Sequence, residues 1–248
     1  MSGHVRVNDK IITKAGQQVK QGDEIVVLES INPYVSRGGL KLAHALQLFA
    51  IDPLNSICMD IGASTGGFSD CLLKHGAAKV YAIDVGYGQL AWSLRNDPRV
   101  VNIERQNFRY LSCEQISDSI DLAVIDVSFI SLLHILGNLN CYLCDNAAII
   151  ALIKPQFEAG KGSVGKNGVV RDAKVHKAVL TNLVESAYAL GYQLYNLSWS
   201  PLKGAKGNIE FLSLWRQSSN IDAINYTSIE DIVERAHGFF VSNLEVIS

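Results

Sequence analysis

The sequence predicts an α/β protein: a mostly parallel sheet with crossover helices and an antiparallel hairpin at one edge, preceded by a small β-rich unit. Three observations lead there. Apolar runs of strand length recur at 57–59, 80–83, 122–125 and 147–153, with helical patterns between them. An ionisable residue closes each run: Asp60, Asp84, Asp126 and Lys154 in turn. Two later strand patterns, 193–199 and 208–215, follow one another without a helix between them, which suits an antiparallel pair.

Taken in order, residues 1–30 form the small unit. Val5-Arg6-Val7 is a short strand running into an Asn8-Asp9 turn, and Gly22-Asp23 turns the chain into a strand over 25–28. Asn32-Pro33 marks a linker over 31–35. The main domain runs over 36–216. It opens with a helix whose packed face carries Leu40, Ala43, Leu46 and Ala50, with Leu42 and Phe49 beside them. Residues 217–248 are a tail in which Ile229, Ile232, Val233, Ala236 and Phe240 fall at helical spacing, as expected of an amphipathic terminal helix docked on the core.

Composition narrows the functional classes. The chain has 248 residues, 48% of them hydrophobic, enough to bury a core without disulfides or a structural metal. A formal net charge of -2 excludes an overall basic coat but leaves room for a local basic face. Five Cys are spread over the chain and the first residues lack a signal-peptide pattern, so reduced thiols and a cytoplasmic protein are expected. The longest apolar run, 147–153, is far short of the roughly 20 residues of a membrane-spanning helix. Cys141-x-x-Cys144 has no second pair to complete a zinc site and reads as core thiols. The His residues show no ligand spacing, and His176 reads as solvated on a polar helix. No metal site is expected.

In an open parallel sheet, ligands bind beyond the carboxyl ends of the strands. Asp60, Asp84, Asp126 and Lys154 are therefore expected to converge on one crevice. After the first strand come Gly62, Ser64, Gly66 and Phe68, small residues that let backbone approach a ligand. Asp84, at the end of the next strand, suits a carboxylate accepting hydrogen bonds from a ribose diol. Both NAD and S-adenosylmethionine (SAM) contain such a ribose. The glycine spacing is not G-x-G-x-x-G, and Asp60 ahead of the glycines suits an ammonium better than a pyrophosphate, which favours SAM. Gly160 to Lys166 fits G-x-x-x-x-G-K, but Asn167 stands where a phosphate loop needs Ser or Thr. The segment reads instead as a basic loop covering substrate, since 154–177 carries Lys154, Lys161, Lys166, Arg171, Lys174 and Lys177 against Glu158 and Asp172.

Five stretches carry a resemblance: Tyr34 to Leu42 (YVSRGGLKL), Asp60 to Phe68 (DIGASTGGF), Asp84 to Leu90 (DVGYGQL), Asp126 to Leu132 (DVSFISL) and Lys154 to Glu158 (KPQFE). They resemble the TlyA, or haemolysin A-like, family of ribosomal-RNA ribose 2′-O-methyltransferases related to the FtsJ type, over about residues 3 to 216. The resemblance implies a Rossmann-like class I SAM-dependent methyltransferase fold with SAM as cofactor. Its catalytic set falls on Lys41, Asp126, Lys154 and Glu210, with Asp126 and Glu210 holding the Lys154 ammonium. Cofactor contacts are expected from Asp60, Gly62, Ser64, Gly66, Phe68 and Asp84, with Asn107 near the adenine. RNA phosphate contacts are expected from Arg37, Lys161, Lys166, Arg171, Lys203 and Lys206. Residues 1–30 resemble part of an S4-like RNA-binding domain, lacking the helical pair with which family members begin. The implied partner is ribosomal RNA or a ribosomal subunit, with no membrane. Two other readings are a non-catalytic RNA-binding module, which the complete Lys-Asp-Lys-Glu set argues against, and a pore-forming haemolysin, for which the sequence offers neither export signal nor membrane span.

Overall fold

The computed structural model describes residues 5–12, 14, 16–27, 32–165, 167–217 and 228–242, and the chain divides into two units, residues 1–33 and 34–248. In the first unit, β1 (Val5–Val7), β2 (Lys10–Ile12) and β3 (Ile25–Val27) form an antiparallel sheet in the order β2-β1-β3. Asn8 and Asp9 both take positive φ, 48° and 64°, the conformation a two-residue hairpin turn requires. The Asn8 side chain also donates to Asp23 (2.7 Å) and accepts from Glu24 N–H (2.9 Å), tying the two predicted turns together.

The second unit opens with α1 (Gly38–Phe49), β4 (Ile57–Ile61), α2 (Gly67–Lys74), β5 (Lys79–Ile83), α3 (Trp92–Arg95) and β6 (Val100–Ile103). It continues through β7 (Ile120–Ile125), α4 (Leu132–Leu139), β8 (Leu143–Ile153), α5 (Pro155–Glu158) and α6 (Ala173–Ala189) to β9 (Tyr192–Trp199), β10 (Phe211–Gln217) and α7 (Ile229–Ser242). Seven strands form one sheet in the order β6-β5-β4-β7-β8-β10-β9. Pairings from β6 through β8 are parallel, while β10 runs antiparallel to both β8 and β9. The predicted edge hairpin therefore exists, with β10 inserted between β8 and the edge strand. β6 is a strand that the apolar runs did not mark; it is short, lies at the other edge and carries Asn102 in its middle.

Strand periodicity places the core on both faces. Along β8, Ile149, Ala151 and Ile153 face one cluster with Met59, Ile61, Leu136 and Trp215. Ala148, Ile150 and Leu152 face the other, with Leu42, Cys58, Leu72 and Val80. The buried face of α1 is Leu42, Ala45, Leu46 and Phe49, rotated from the expected Leu40-Ala43-Leu46-Ala50 stripe. Ala50 is the helix cap, left-handed at φ 51°, and a left-handed cap points its side chain off the packed face.

The tail helix docks as expected: Ile232, Val233 and Ala236 of α7 are buried in the first cluster. Its docking overturns one expectation. His176 is fully buried, not solvated, and its Nδ1 lies 2.9 Å from Nε2 of His237 on α7. His176 sits three and four residues before Val179 and Leu180, so it shares their buried helix face. The thiols are also corrected. Cys141 is bonded to Cys113 across 28 residues on the surface, and Cys144 is half-buried beside Asp121, so neither is a core thiol.

Candidate active site

In the sheet order, the chain leaves β4 toward β5 on one side and reaches β7 on the other, so β4 and β7 flank the switch point where open α/β sheets bind ligands. Gly62 follows β4 there with φ +88°, and a Cβ would meet the Asp126 carbonyl oxygen at 2.6 Å. Only glycine lets the turn after β4 lie against the end of β7.

Three of the four predicted strand-end residues occupy such ends. Asp84 follows β5 and is half-buried. Its Oδ2 accepts from Ser64 N–H (2.8 Å) and its Oδ1 from Gly86 N–H (2.6 Å), which fixes the carboxylate plane. Asp126 follows β7 and Lys154 follows β8. Asp60 is different: it lies inside β4, is 0% exposed, and lines neither cavity described below. The run of strand residues extends one position past it to Ile61, so its side chain points into the packed layer against α2, where Ser69 Oγ donates to Oδ2 at 2.6 Å. Oδ1 has no hydrogen-bond partner among the described residues. Burial pushes the Asp60 carboxyl up to about 7, opposed by the Ser69 hydrogen bond and reinforced by the Asp126 charge.

Two cavities meet at the switch point. The first, about 550 Å³, is lined by Ile83, Asp84, Val85, Asn107, Phe108 and Ile130. The second, about 490 Å³, is lined by Arg37, Lys41, Phe68, Lys154, Lys203 and Glu210. Gly62, Ser64, Asp126, Ser128 and Phe129 line both. Apolar walls with a fixed carboxylate fit a nucleoside in the first cavity. Asn107 stands at its rim, its side chain capping the turn at 108–110 by accepting from Arg109 N–H. Gly66 lines neither cavity; it caps α2 with φ +94° against Leu90 and Leu94.

The second cavity holds two ion pairs. Lys154 Nζ lies 2.6 Å from Asp126 Oδ1 and donates to Ser128 Oγ at 3.0 Å. Lys41 Nζ lies 2.5 Å from Glu210 Oε2. Glu210 therefore holds Lys41, not Lys154 as expected. The reason is topological: β10 pairs with β8, Glu210 immediately precedes β10, and α1 brings Lys41 to it across 169 residues. Gly204 packs on the Glu210 carboxylate so closely that a Cβ would stand 1.8 Å from Oε1, which fixes the carboxylate from the far side.

Of the expected RNA contacts, Arg37 and Lys203 line the second cavity, while Arg171 and Lys206 are exposed away from it. Lys166 lies outside the described residues, as does the side chain of Lys161. Sequence reasoning missed Ser128 and Phe129 as site residues. Phe129 is 89% exposed with φ +64°, its ring 4.9 Å from that of Phe157, at the shared mouth of both cavities. A bulky residue held in the left-handed region is uncommon and clusters at functional sites. Only its place in the DVSFISL stretch hinted at it. Among the described residues no three His, Cys, Asp or Glu side chains gather as a metal site, and no helix is long and apolar enough to cross a membrane.

A mostly parallel seven-stranded sheet with an antiparallel β10, a nucleoside-sized cavity beside a carboxylate after β5, and paired lysines next to it define a class I SAM-dependent methyltransferase. The profile of the FtsJ-like methyltransferase family matches residues 34–217, and that of the S4 domain matches residues 1–25. The chain belongs to the FtsJ-like methyltransferase family. It is 45% identical over 236 residues to the 16S/23S rRNA (cytidine-2′-O)-methyltransferase TlyA of Mycobacterium tuberculosis, covering 95% of this chain and 88% of that protein. A solved structure carrying the hemolysin name, from Streptococcus thermophilus, superposes with a TM-score of 0.84 at 42% identity over 99% of this chain and 90% of that one. A SAM-dependent methyltransferase from Mesorhizobium loti shares the fold alone, with a TM-score of 0.53 at 13% identity over 70% of this chain and 96% of that one.

Proposed function

We propose that the protein transfers a methyl group from SAM to a ribose 2′-hydroxyl of ribosomal RNA, free or within a ribosomal subunit, in the cytoplasm. The observation that carries this reading is the Lys154–Asp126 pair placed where the two cavities join. SAM supplies an electrophilic methyl on a sulfonium. Asp84 would hold its ribose, Gly62 and Ser64 its methionine side, and Ile83, Val85 and Phe108 the base. The chain's own task is alignment, because an in-line displacement needs donor carbon and acceptor oxygen about 3–3.5 Å apart.

Lys154 is the group set to meet the acceptor oxygen. Its Nζ is paired with Asp126 and donates to Ser128 Oγ, which holds it at the wall of the cavity. Lys41, held by Glu210, adds positive charge beside the 2′-oxygen, and the proton that the hydroxyl gives up would pass to Lys154 in its neutral amine form. Phe129 offers an exposed ring face for an unstacked base, the usual route to sequence-specific RNA recognition. The 2′-hydroxyl itself separates RNA from DNA.

The test maps 2′-O-methyl sites in ribosomal RNA from cells with and without the protein, then restores activity with purified protein, SAM and unmodified subunits. Sites lost with the protein and regained in vitro are expected. Lys154→Ala lowers kcat about 10²- to 10⁴-fold with SAM affinity held within a few-fold. An active Lys154→Arg makes Lys154 a positioning cation, since guanidinium does not give up its proton. Identical methylation maps in the two cell types refute the function.

A further inference from the structure

The C-terminal helix α7 lies beyond the residues matched by the methyltransferase profile, and two of its contacts lead toward the rim of the catalytic cavity. Lys203, which lines that cavity, places its Nζ 4.8 Å from the centre of the Phe240 ring on α7, within cation–π range. Phe240 is half-buried on the core. His237, one turn earlier, bonds to the fully buried His176 of α6. α6 starts at its cap Asp172, next to Arg171. The segment carrying Arg171 is in turn tied to the segment carrying Lys203: buried Asn208 accepts from Val170 N–H (3.0 Å) and donates to Gly168 (2.9 Å), and its carbonyl accepts from Gly204 N–H. Two cation-bearing segments thus form one hydrogen-bonded unit, and α7 touches that unit at both of its ends.

We infer that α7 is a brace that positions RNA-contacting cations at the mouth of the catalytic cavity, with Phe240 as the positioning residue for Lys203 and His237 acting through His176. A lysine ammonium on a long flexible stem loses side-chain entropy whenever it is fixed on a phosphate. Resting it on a ring that is itself anchored in the core lowers that loss and sets where the charge stands. Ile232, Val233 and Ala236 supply the anchoring, since all are buried at 2% exposure or less. The consequence is specific: a change in α7 that leaves the apolar anchor intact alters RNA binding and leaves the cofactor cavity alone, which lies at the other side of Phe129.

This inference rests on the RNA-methylation reading above. Its test compares wild type, Phe240→Leu, Lys203→Ala and the double variant, using unmodified ribosomal subunits and SAM. Leu keeps the apolar contact and removes the ring face. Phe240→Leu is expected to raise KM for the subunit about 2- to 5-fold, the equivalent of a cation–π contact of about 0.5–1 kcal/mol, with kcat at saturation, SAM affinity and Tm held. The slope of log K against log salt should become shallower by up to about 0.7–0.9, one phosphate contact. Lys203→Ala should give a KM increase at least as large, and the double variant no more than Lys203→Ala alone. Additive effects of the two changes, an unchanged subunit KM in Phe240→Leu, or a loss that appears in kcat and Tm instead would each overturn the inference. Failure of the wild type to bind subunits would refute the RNA reading itself, a separate outcome.

Discussion

Glu210→Gln tests the pairing of the two lysines most directly. The substitution keeps the shape of the side chain and removes its charge. Glu210 and Lys41 side chains are 3% and 12% exposed, with 2.5 Å between Oε2 and Nζ. At an effective dielectric near 20 the Coulomb attraction at that distance has a ceiling of about 7 kcal/mol. Most of it offsets the desolvation of two ions. What remains when one partner is removed is the cost of a buried, uncompensated charge, about 3–5 kcal/mol. Water reaches the Lys41 side of the pair, so the low end applies, about 3 kcal/mol. For a chain of this size that lowers Tm by about 6–12 °C. The assay is thermal and urea unfolding of Glu210→Gln, Lys41→Met, Lys154→Met and the two double variants that contain Glu210→Gln. Glu210 should couple to Lys41 by about 1–3 kcal/mol, and more strongly than to Lys154. A Tm within 1–2 °C (about 0.5 kcal/mol) of wild type, or stronger coupling to Lys154, would refute the two-pair arrangement.

Further outcomes are expected. Asp84→Ala should weaken SAM binding by roughly 1–3 kcal/mol, because a ribose diol loses its charged acceptor; calorimetric titration at wild-type affinity would remove Asp84 from the cofactor site. Asp60 keeps its proton to about pH 7 when folded, against 3.8 for an ordinary Asp. The folded state therefore binds more protons within that window, and stability falls as pH rises through it, by up to about 4 kcal/mol. Asp60→Asn cannot ionise and should flatten this dependence; parallel curves for both proteins between pH 5 and 8 would contradict the assignment. Phe129→Gly should cost roughly 1–3 kcal/mol in RNA affinity if a base stacks there. Its unfolding free energy should hold, because glycine relieves the left-handed strain, and unaltered RNA binding would rule out stacking.

Much of this protein was legible along the chain because the relevant physics is local. Alternating apolar runs marked β4, β5, β7 and β8, and the residues after three of them, Asp84, Asp126 and Lys154, stand at the strand ends where such sheets bind ligands. Apolar spacing in the tail located the buried face of α7, and the motifs around Lys41 and Asp126 identified the family. Side-chain partnership was not legible, because sheet order sets it over long separations. Glu210 holds Lys41 across 169 residues, His176 meets His237 across 61, and Cys113 reaches Cys141 across 28. Asp60 shows the same divide at short range. The sequence placed it at the end of an apolar run, but one more strand residue turned its carboxyl into the core and pushed its pKa toward neutrality. The sequence by itself determined which chemical groups this protein carries and at which strand ends. Only the tertiary structure decided which charges neutralise one another, because desolvation and Coulomb attraction depend on distances between elements that periodicity does not encode.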